Sequence, residues 1–269
     1  VYHAPPVPAA LRPYVASRVA YDVDFGRPGV HRGLPSTTLA FVLPVDERLR
    51  VGWAGADDQH AAWSSLSGLH VAPAAVHHDG VQRGIQLALT VAGARALLGL
   101  PAGELAGALT DLEEAVPELA DLPARVHDAA TWPARVALVD RALLSLLRRD
   151  ASGVRREVAH ALAALTHGAR VEAVADEVGY SRRRLSTLVR AECGLTPVGY
   201  RRLGRFEEAR ALLGHRPLAE VAARCGYSDQ AHLSREWTEL AGCSPTTWLR
   251  EEFPFVQDVG PGDDAGSDS

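Results

Sequence analysis

The stretches VEAVADEVGYSRRRLSTLVRAECGLTPVGY (residues 171–200) and LAEVAARCGYSDQAHLSREWTELAGCSPTTWL (residues 218–249) are two copies of one unit. Val174, Ala175, Gly179, Tyr180 and Ser181 match Val221, Ala222, Gly226, Tyr227 and Ser228 at an offset of 47. Leu185, Ser186, Gly194 and Pro197 match Leu233, Ser234, Gly242 and Pro245 at an offset of 48, so the second copy carries one extra residue where its second helix begins. Such a repeat marks a duplicated supersecondary unit. Within each copy the punctuation is that of a helix-turn-helix. A first helix closes on Gly179 or Gly226, residues free to take the left-handed turn conformation. Two residues later Ser181 or Ser228 is placed to cap a second helix. Ala175 and Ala222, four positions before each Gly, let two steeply crossing helices approach. Leu185 and Leu188, and Leu233 and Trp237, turn the second helix into a core.

What remains on the second helices faces outward: Arg182, Arg183, Ser186, Thr187 and Arg190 in one, and Gln230, His232, Ser234 and Arg235 in the other. Arg pairs with guanine in a bidentate way, Gln with adenine, and Ser or Thr with either. A lone Arg run is most often a solvated face. Two matched units joined by a helical segment (198–213) that carries Arg201, Arg202 and Arg205 shift the balance to nucleic acid.

The charge distribution agrees. The 269-residue chain carries 28 basic residues, all Arg, against 33 acids, for a net charge of −5. Residues 1–150 hold 13 Arg against 16 acids, residues 151–250 hold 15 Arg against 11, and residues 251–269 hold 6 acids and no Arg. A basic segment thus lies between two acidic ones, the asymmetry of a polyanion-binding module. The apolar fraction of 47% excludes a wholly disordered chain. No apolar run is long enough to span a membrane, and the start lacks the order of a signal peptide. Three cysteines, Cys193, Cys225 and Cys243, are too few for a disulfide framework, which points to a reducing cytoplasm. The expected location is cytoplasmic and nucleoid-associated.

Upstream of the repeat, residues 17–90 read mostly as strands. Residues 37–43 (TTLAFVL), 49–53 (LRVGW), 69–74 and 84–90 (GIQLALT) are β-prone, with DERLR and GADDQH as turns. From Gly93 the period becomes helical at 94–98, 112–119 and 132–149, the last with Val136, Val139, Leu143, Leu146 and Leu147 on one stripe. That stripe suits either a dimer seam or packing on its own domain. A boundary is expected at RDASG (149–153), followed by a new helix over 154–166. The fold class is α+β: a small cupin-like β-barrel or sandwich with following helices, then an all-α domain of two helix-turn-helix units joined by a linker helix. The domains are 1–150, for effector sensing or dimerisation, 154–252, for DNA, and a disordered acidic tail over 256–269.

Residues 154–252 resemble the C-terminal DNA-binding domain of the AraC/XylS family of transcription regulators. The resemblance rests on ADEVGYSRRRLSTLVRAECGLTPVGY, the connecting RRLGRFEEARALL, and EVAARCGYSDQAHLSREWTELAGCSP. Leu233 stands where an aromatic residue often precedes the Ser. Segment 68–99 (GLHVAPAAVHHDGVQRGIQLALTVAGARALLG) resembles, more loosely, the sensor portions of some actinobacterial members, and the absence of Lys suits a high-GC genome. The resemblance implies that both second helices enter successive major-groove segments, about 34 Å apart, so that one chain covers about 20 bp of double-stranded promoter or operator DNA. The base-facing positions then fall on Arg183, Ser186 and Thr187, and on Gln230, His232, Ser234 and Arg235. Ser181, Ser228, Arg201 and Arg202 are assigned to the DNA backbone, and Asp229 is read as an acid favoured by the helix dipole. RNA polymerase is an expected partner if the protein activates, and a homodimer is a further possibility; no membrane partner or cofactor is implied.

The first domain is harder to read. Its histidines, His31, His60, His70, His77 and His78, lack the close pairing of a metal site, so core or surface histidines are expected and no metal is assigned. Tyr21, Trp53, Trp63, His70 and Gln86 are the candidates for an unknown small-molecule effector pocket, with ordinary core packing as the plainer alternative. Cys225 and Cys243 replace Val178 and Leu195 of the first unit, which suggests buried thiols more than a redox sensor. No catalytic Cys precedes residue 193, and no G-x-S-x-G, P-loop or H-E-x-x-H motif occurs, so no enzyme is expected. The competing readings are a non-specific architectural DNA binder and an effector-independent regulator whose first domain only dimerises.

Overall fold

The alternation in the first hundred residues produces two antiparallel sheets. In the computed structural model, which describes residues 6–56, 59–147 and 153–251, the larger sheet has five strands. Their order is β1 (Val15–Asp24), β8 (Val81–Leu89), β3 (Leu39–Pro44), β6 (Ser65–Ser67) and β9 (Leu109–Thr110). The smaller sheet runs β2 (Gly29–Gly33), β7 (Ala74–His78), β4 (Leu49–Trp53) and β5 (His60–Ala62).

Successive side chains of a strand point to opposite faces, and the five-stranded sheet uses its two faces differently. Ala20, Leu39, Phe41, Leu43, Leu66, Ile85, Leu87 and Leu89 are buried in a core shared with the helices. The alternate residues, among them Ser17, Ala40, Ser65, Ser67, Gln82, Gln86 and Ala88, line a space between the sheets. Short and polar side chains on that inner face leave the sandwich unfilled. Tyr21 faces Gly84 across the β1–β8 ladder, and a Cβ at Gly84 would lie 2.5 Å from the Tyr21 hydroxyl, so only Gly leaves room for the ring.

After the sheets come α1 (Val91–Gly93), which continues as a π-type turn over Ala94–Leu98, then α2 (Leu112–Ala115), α3 (Leu122–Asp128) and α4 (Trp132–Leu146). Two sequence expectations change. Residues 112–119 are not one helix, because Pro117 cannot donate within it and starts a separate 3-10 turn. Residues 69–73 form no strand and bend at 71–72: Pro73 lacks an amide, and β7 begins only at Ala74. The α4 stripe settles on its own domain. Val136, Val139, Leu143 and Leu146 are buried in the core, and buried Arg18 of β1 pairs with Asp140 on the same helix. A dimer seam along that face is therefore not available.

The second half is helical: α5 (Arg156–Thr166), α6 (Val171–Glu177), α7 (Arg182–Cys193), α8 (Pro197–Leu212), α9 (Leu218–Arg224), α10 (Gln230–Ala241) and α11 (Pro245–Glu251). The α6–α7 and α9–α10 pairs are the two helix-turn-helix units. Gly179 and Gly226 hold φ of 70° and 72° with no atom within 4 Å of an added Cβ, so conformation alone selects glycine there. One core runs from Leu11 through the five-stranded sheet and α1–α7 to Tyr200 of α8. A second contains Leu34 and residues from Leu203 to Trp248. The two cores meet within α8. Most of the expected boundary, 149–153, and the tail, 256–269, lie outside the described residues.

Candidate nucleic-acid interface and enclosed cavity

The first reading helix, α7, is capped by Ser181, whose hydroxyl accepts from the Arg184 amide at 3.2 Å. Its first turn contains Arg182, Arg183 and Arg184 and no acid, although a helix N-terminus favours negative charge. Arg182 is relieved by Glu172 at 3.3 Å, and the Arg184 guanidinium lies 5.0 Å from the centre of the Tyr180 ring. Arg183 makes no side-chain hydrogen bond or ion pair among the described residues. Arg182, Arg183 and Ser186 border an open groove with Thr196, Val198 and Arg201 at the start of α8. Thr187 and Arg190 are exposed on the same helix, with the Thr187 hydroxyl donating to the Arg183 carbonyl at 3.0 Å.

In the second unit the cap differs from expectation. The residue inserted relative to the first copy places Asp229, not Ser228, at the N-cap of α10, where its carboxylate accepts from the His232 amide at 2.7 Å. That hydrogen bond holds the Asp229 carboxyl below its ordinary pKa. Ser228 instead braces the turn: its hydroxyl bonds Asp229 and lies 3.1 Å from His232 Nδ1. The His232 ring stands edge-on to Tyr227, with centroids 5.3 Å apart, so this side chain is partly folded back into the turn. Gln230 and Arg235 are exposed and Ser234 is half-buried on the outer face.

The two linker arginines assigned to the DNA backbone part company. Arg201 borders the groove, whereas Arg202 pairs with Glu236 at 3.2 Å and with Glu239, both on α10. One position along a helix turns a side chain by about 100°. Arg202 therefore faces the second unit, where Arg205 also grips Glu236 at 2.6 Å and lies over Tyr227 at 4.4 Å. These pairs fasten α10 to the linker helix.

Both units are also fastened to the sheet domain. Arg95 grips buried Glu192 of α7 in a bidentate pair, 2.7 and 2.8 Å. Gly194, at φ 78°, packs so closely that a Cβ there would lie 2.1 Å from that of Ala106. Ser36 and Thr37 each donate to Glu207 of α8 at 2.6 Å, and Arg32 reaches Glu251 at 2.9 Å.

Between the sheets lies a cavity of about 460 Å³, closed on one side by Glu207, Arg210 and Ala211 of α8. Of the residues expected in an effector pocket, Tyr21, His70 and Gln86 line it. Trp53 stands behind His70, with ring centroids 4.8 Å apart. Trp63 is elsewhere: it is 36% exposed and lies edge-on to His127 of α3, on the helical side of the sheet. His31, Gln82 and the inner-face serines went unrecognised in the sequence, although Ser and Gln alternating with Leu and Ile along the strands was the available signal. Burial lowers His31 to a pKa of about 4, with neighbouring His78 adding to the shift, and raises the Tyr21 hydroxyl far above its ordinary value. Among the described residues no group of three or more His, Cys, Asp or Glu is placed to hold a metal ion, and no helix is long and apolar enough to cross a membrane. All three cysteines are buried, and burial pushes Cys193 and Cys225 up to about 11, as suits inert core thiols.

Residues 174–251 match a family model described as a helix-turn-helix domain. The HTH-type transcriptional activator RhaS of Escherichia coli is 40% identical over 88 residues, 32% of this chain and 32% of RhaS, so the match spans about a third of that relative's length. Fatty-acid-bound ToxT from Vibrio cholerae shares the architecture across 91% of this chain and 98% of its own, with a TM-score of 0.52 and 9% identity. The DNA-binding domain of AdpA, solved with a target DNA, aligns with 36% of this chain and 92% of its own at 27% identity and a TM-score of 0.34. An antiparallel β-sheet domain followed by a helical one is thus a known arrangement, and residues 174–251 of this chain are a helix-turn-helix domain similar to that of RhaS.

Proposed function

We propose that this chain regulates transcription by binding a specific DNA site, with α7 and α10 in successive major-groove segments and a small molecule between the two sheets adjusting the outcome. The observation that carries this reading is the pair of reading helices. Both units end their first helix on a left-handed Gly and present an outward face of Arg, Gln, Ser and Thr. Three cations stand at the N-terminus of α7 against the helix dipole, and Arg183 among them has no ion-pair partner among the described residues; phosphates brought against that end reverse the sign. In this reading Arg183, Ser186, Gln230 and Arg235 contact bases, and Arg201 and Arg182, which border one groove with Arg183 and Ser186, contact the backbone. An activating role, with RNA polymerase as partner, follows the likeness to RhaS.

The experiment is fluorescence anisotropy of the full chain on DNA from upstream of its own gene, with scrambled DNA as competitor at two salt concentrations. A preference of about 10³ or more for the upstream DNA is expected. Equal and steeply salt-dependent binding to both would instead mark an architectural binder held by phosphates alone.

A further inference from the structure

We infer that the cavity between the sheets takes an uncharged, largely apolar molecule bearing hydroxyl, carbonyl or amide groups, and discriminates against a carboxylate of the same shape. The inference rests on the effector-site reading above and specifies what that site selects. The five-stranded sheet contributes Ser17, Ser65, Ser67 and Gln86 to the lining, all neutral groups that both donate and accept. The opposite wall is aliphatic, built from Leu49, Val51 and Val76. The titratable groups facing the space are Tyr21, His31, His70, Glu207 and Arg210.

Of these only Glu207 and Arg210, both on α8, are charged. Tyr21 is held as the neutral phenol by burial, and burial likewise disfavours the charged form of both histidines, taking His31 down to about 4 and lowering His70. His31 Nδ1 is buried and makes no hydrogen bond to the protein, which leaves one neutral polar atom for an occupant to satisfy. Glu207 and Arg210 stand at the α8 rim with opposite signs, and the Glu207 carboxylate is already occupied by Ser36 and Thr37. An anion drawn between the sheets beyond Arg210 would lose its hydration with no opposite charge to receive it, and at Arg210 itself it meets the Glu207 carboxylate of the same helix, whereas an amide or alcohol exchanges water for Ser, Gln and His partners.

The test is isothermal titration calorimetry of the full chain at pH 7.5 with two near-isosteric probes, biphenyl-4-carboxamide and biphenyl-4-carboxylate. The carboxamide is expected to bind one per chain, at least about tenfold tighter than the carboxylate. Gln86→Leu, which keeps the volume and removes a neutral polar partner, is expected to weaken the carboxamide by at least about threefold and leave the carboxylate unchanged. Ala88→Leu, which fills part of the space, should weaken both. Equal or tighter binding of the carboxylate, lost in Arg210→Ala, would overturn the inference in favour of an anion site at the rim. Binding of neither probe would overturn it too, since a cavity of this size and lining admits the biphenyl body. Discrimination between the probes does not depend on DNA, so a chain that binds neutral probes but no specific DNA would retire the regulator reading and keep the ligand class.

Discussion

At the first turn of α7, Arg182, Arg183 and Arg184 stand where a helix least favours cations, each opposed by about 0.3–1 kcal/mol at low salt. Glu172 and the Tyr180 ring relieve two of them, and Arg183 is left to solvent. An unrelieved charge in such a place stabilises a complex more than it stabilises the free chain. Arg235, in the second turn of α10, has no such conflict, because Asp229 lies at the cap before it. Arg183→Ala and Arg235→Ala are therefore expected to weaken specific DNA binding by about 1–3 kcal/mol each, if they contact bases. Only Arg183→Ala should also raise the stability of the free protein, by a few tenths of a kcal/mol. Anisotropy on specific and random DNA, with thermal melts of both variants, checks this. Equal losses on the two DNAs would reassign these arginines to phosphates. These positions were legible in the sequence because the repeat fixes which residues share the outer face. The Asp229 cap, the turned-back His232 ring and the inward Arg202 were not, because each depends on a partner in the inserted residue's turn or on a neighbouring helix.

Helices with a clear period were read almost to their ends: 132–149 became α4 (Trp132–Leu146), and 198–213 became α8 (Pro197–Leu212). Strands of two or three residues, β5, β6 and β9, have too little alternation to be seen and exist because longer neighbours pair with them. The cavity was out of reach for a related reason: it is a property of facing sheets, whose pairing the sequence does not state. The docking of α7 was equally hidden, since its key residue, Glu192, reads as one more helical acid. In the structure Glu192 is buried, with 7% of its side chain exposed, and Arg95 is its one ion-pair partner among the described residues. Removing one partner of such a pair strands the other charge. Arg95→Ala is expected to cost about 3 kcal/mol, the low end for a buried pair, since Arg95 itself keeps some solvent. Adding Glu192→Gln to that variant should recover part of the loss, because a neutral amide is cheaper to bury. Denaturant midpoints of the two single variants and the double variant measure the coupling. Strictly additive losses would mean the two side chains meet without stabilising the docked helix.

Across the whole molecule, the division that matters physically is not the one composition suggests. The shift at residues 149–153 separates strand-rich from helical sequence, yet the first helix-turn-helix unit shares one continuous core with the sheet domain, while the second has a core of its own. An element belongs cooperatively with whatever it buries apolar surface against, so α5–α7 should open together with the five-stranded sheet. The second unit touches that domain more lightly, through Leu34, the Arg32–Glu251 pair and the approach of Gly242 to Pro73. Its charged tie to α8 is the network that Arg202 and Arg205 form with Glu236 of α10. A molecule in the cavity would then act on the two reading helices by different routes: on α7 through the shared core, and on α10 through α8, whose Glu207 stands at the rim, and through Leu34, which lines the cavity and is buried in the second core. Native-state hydrogen exchange under increasing denaturant checks this division. Amides of α5–α7 are expected to merge with those of β1, β3 and β8 in one opening, and those of α9–α11 to merge in a second, less stable one. If α5–α7 instead opened with α9–α11 while the sheet stayed protected, the helical half would be the cooperative unit. The cavity could then reach α7 through side-chain contacts such as Arg95–Glu192 rather than through a shared core.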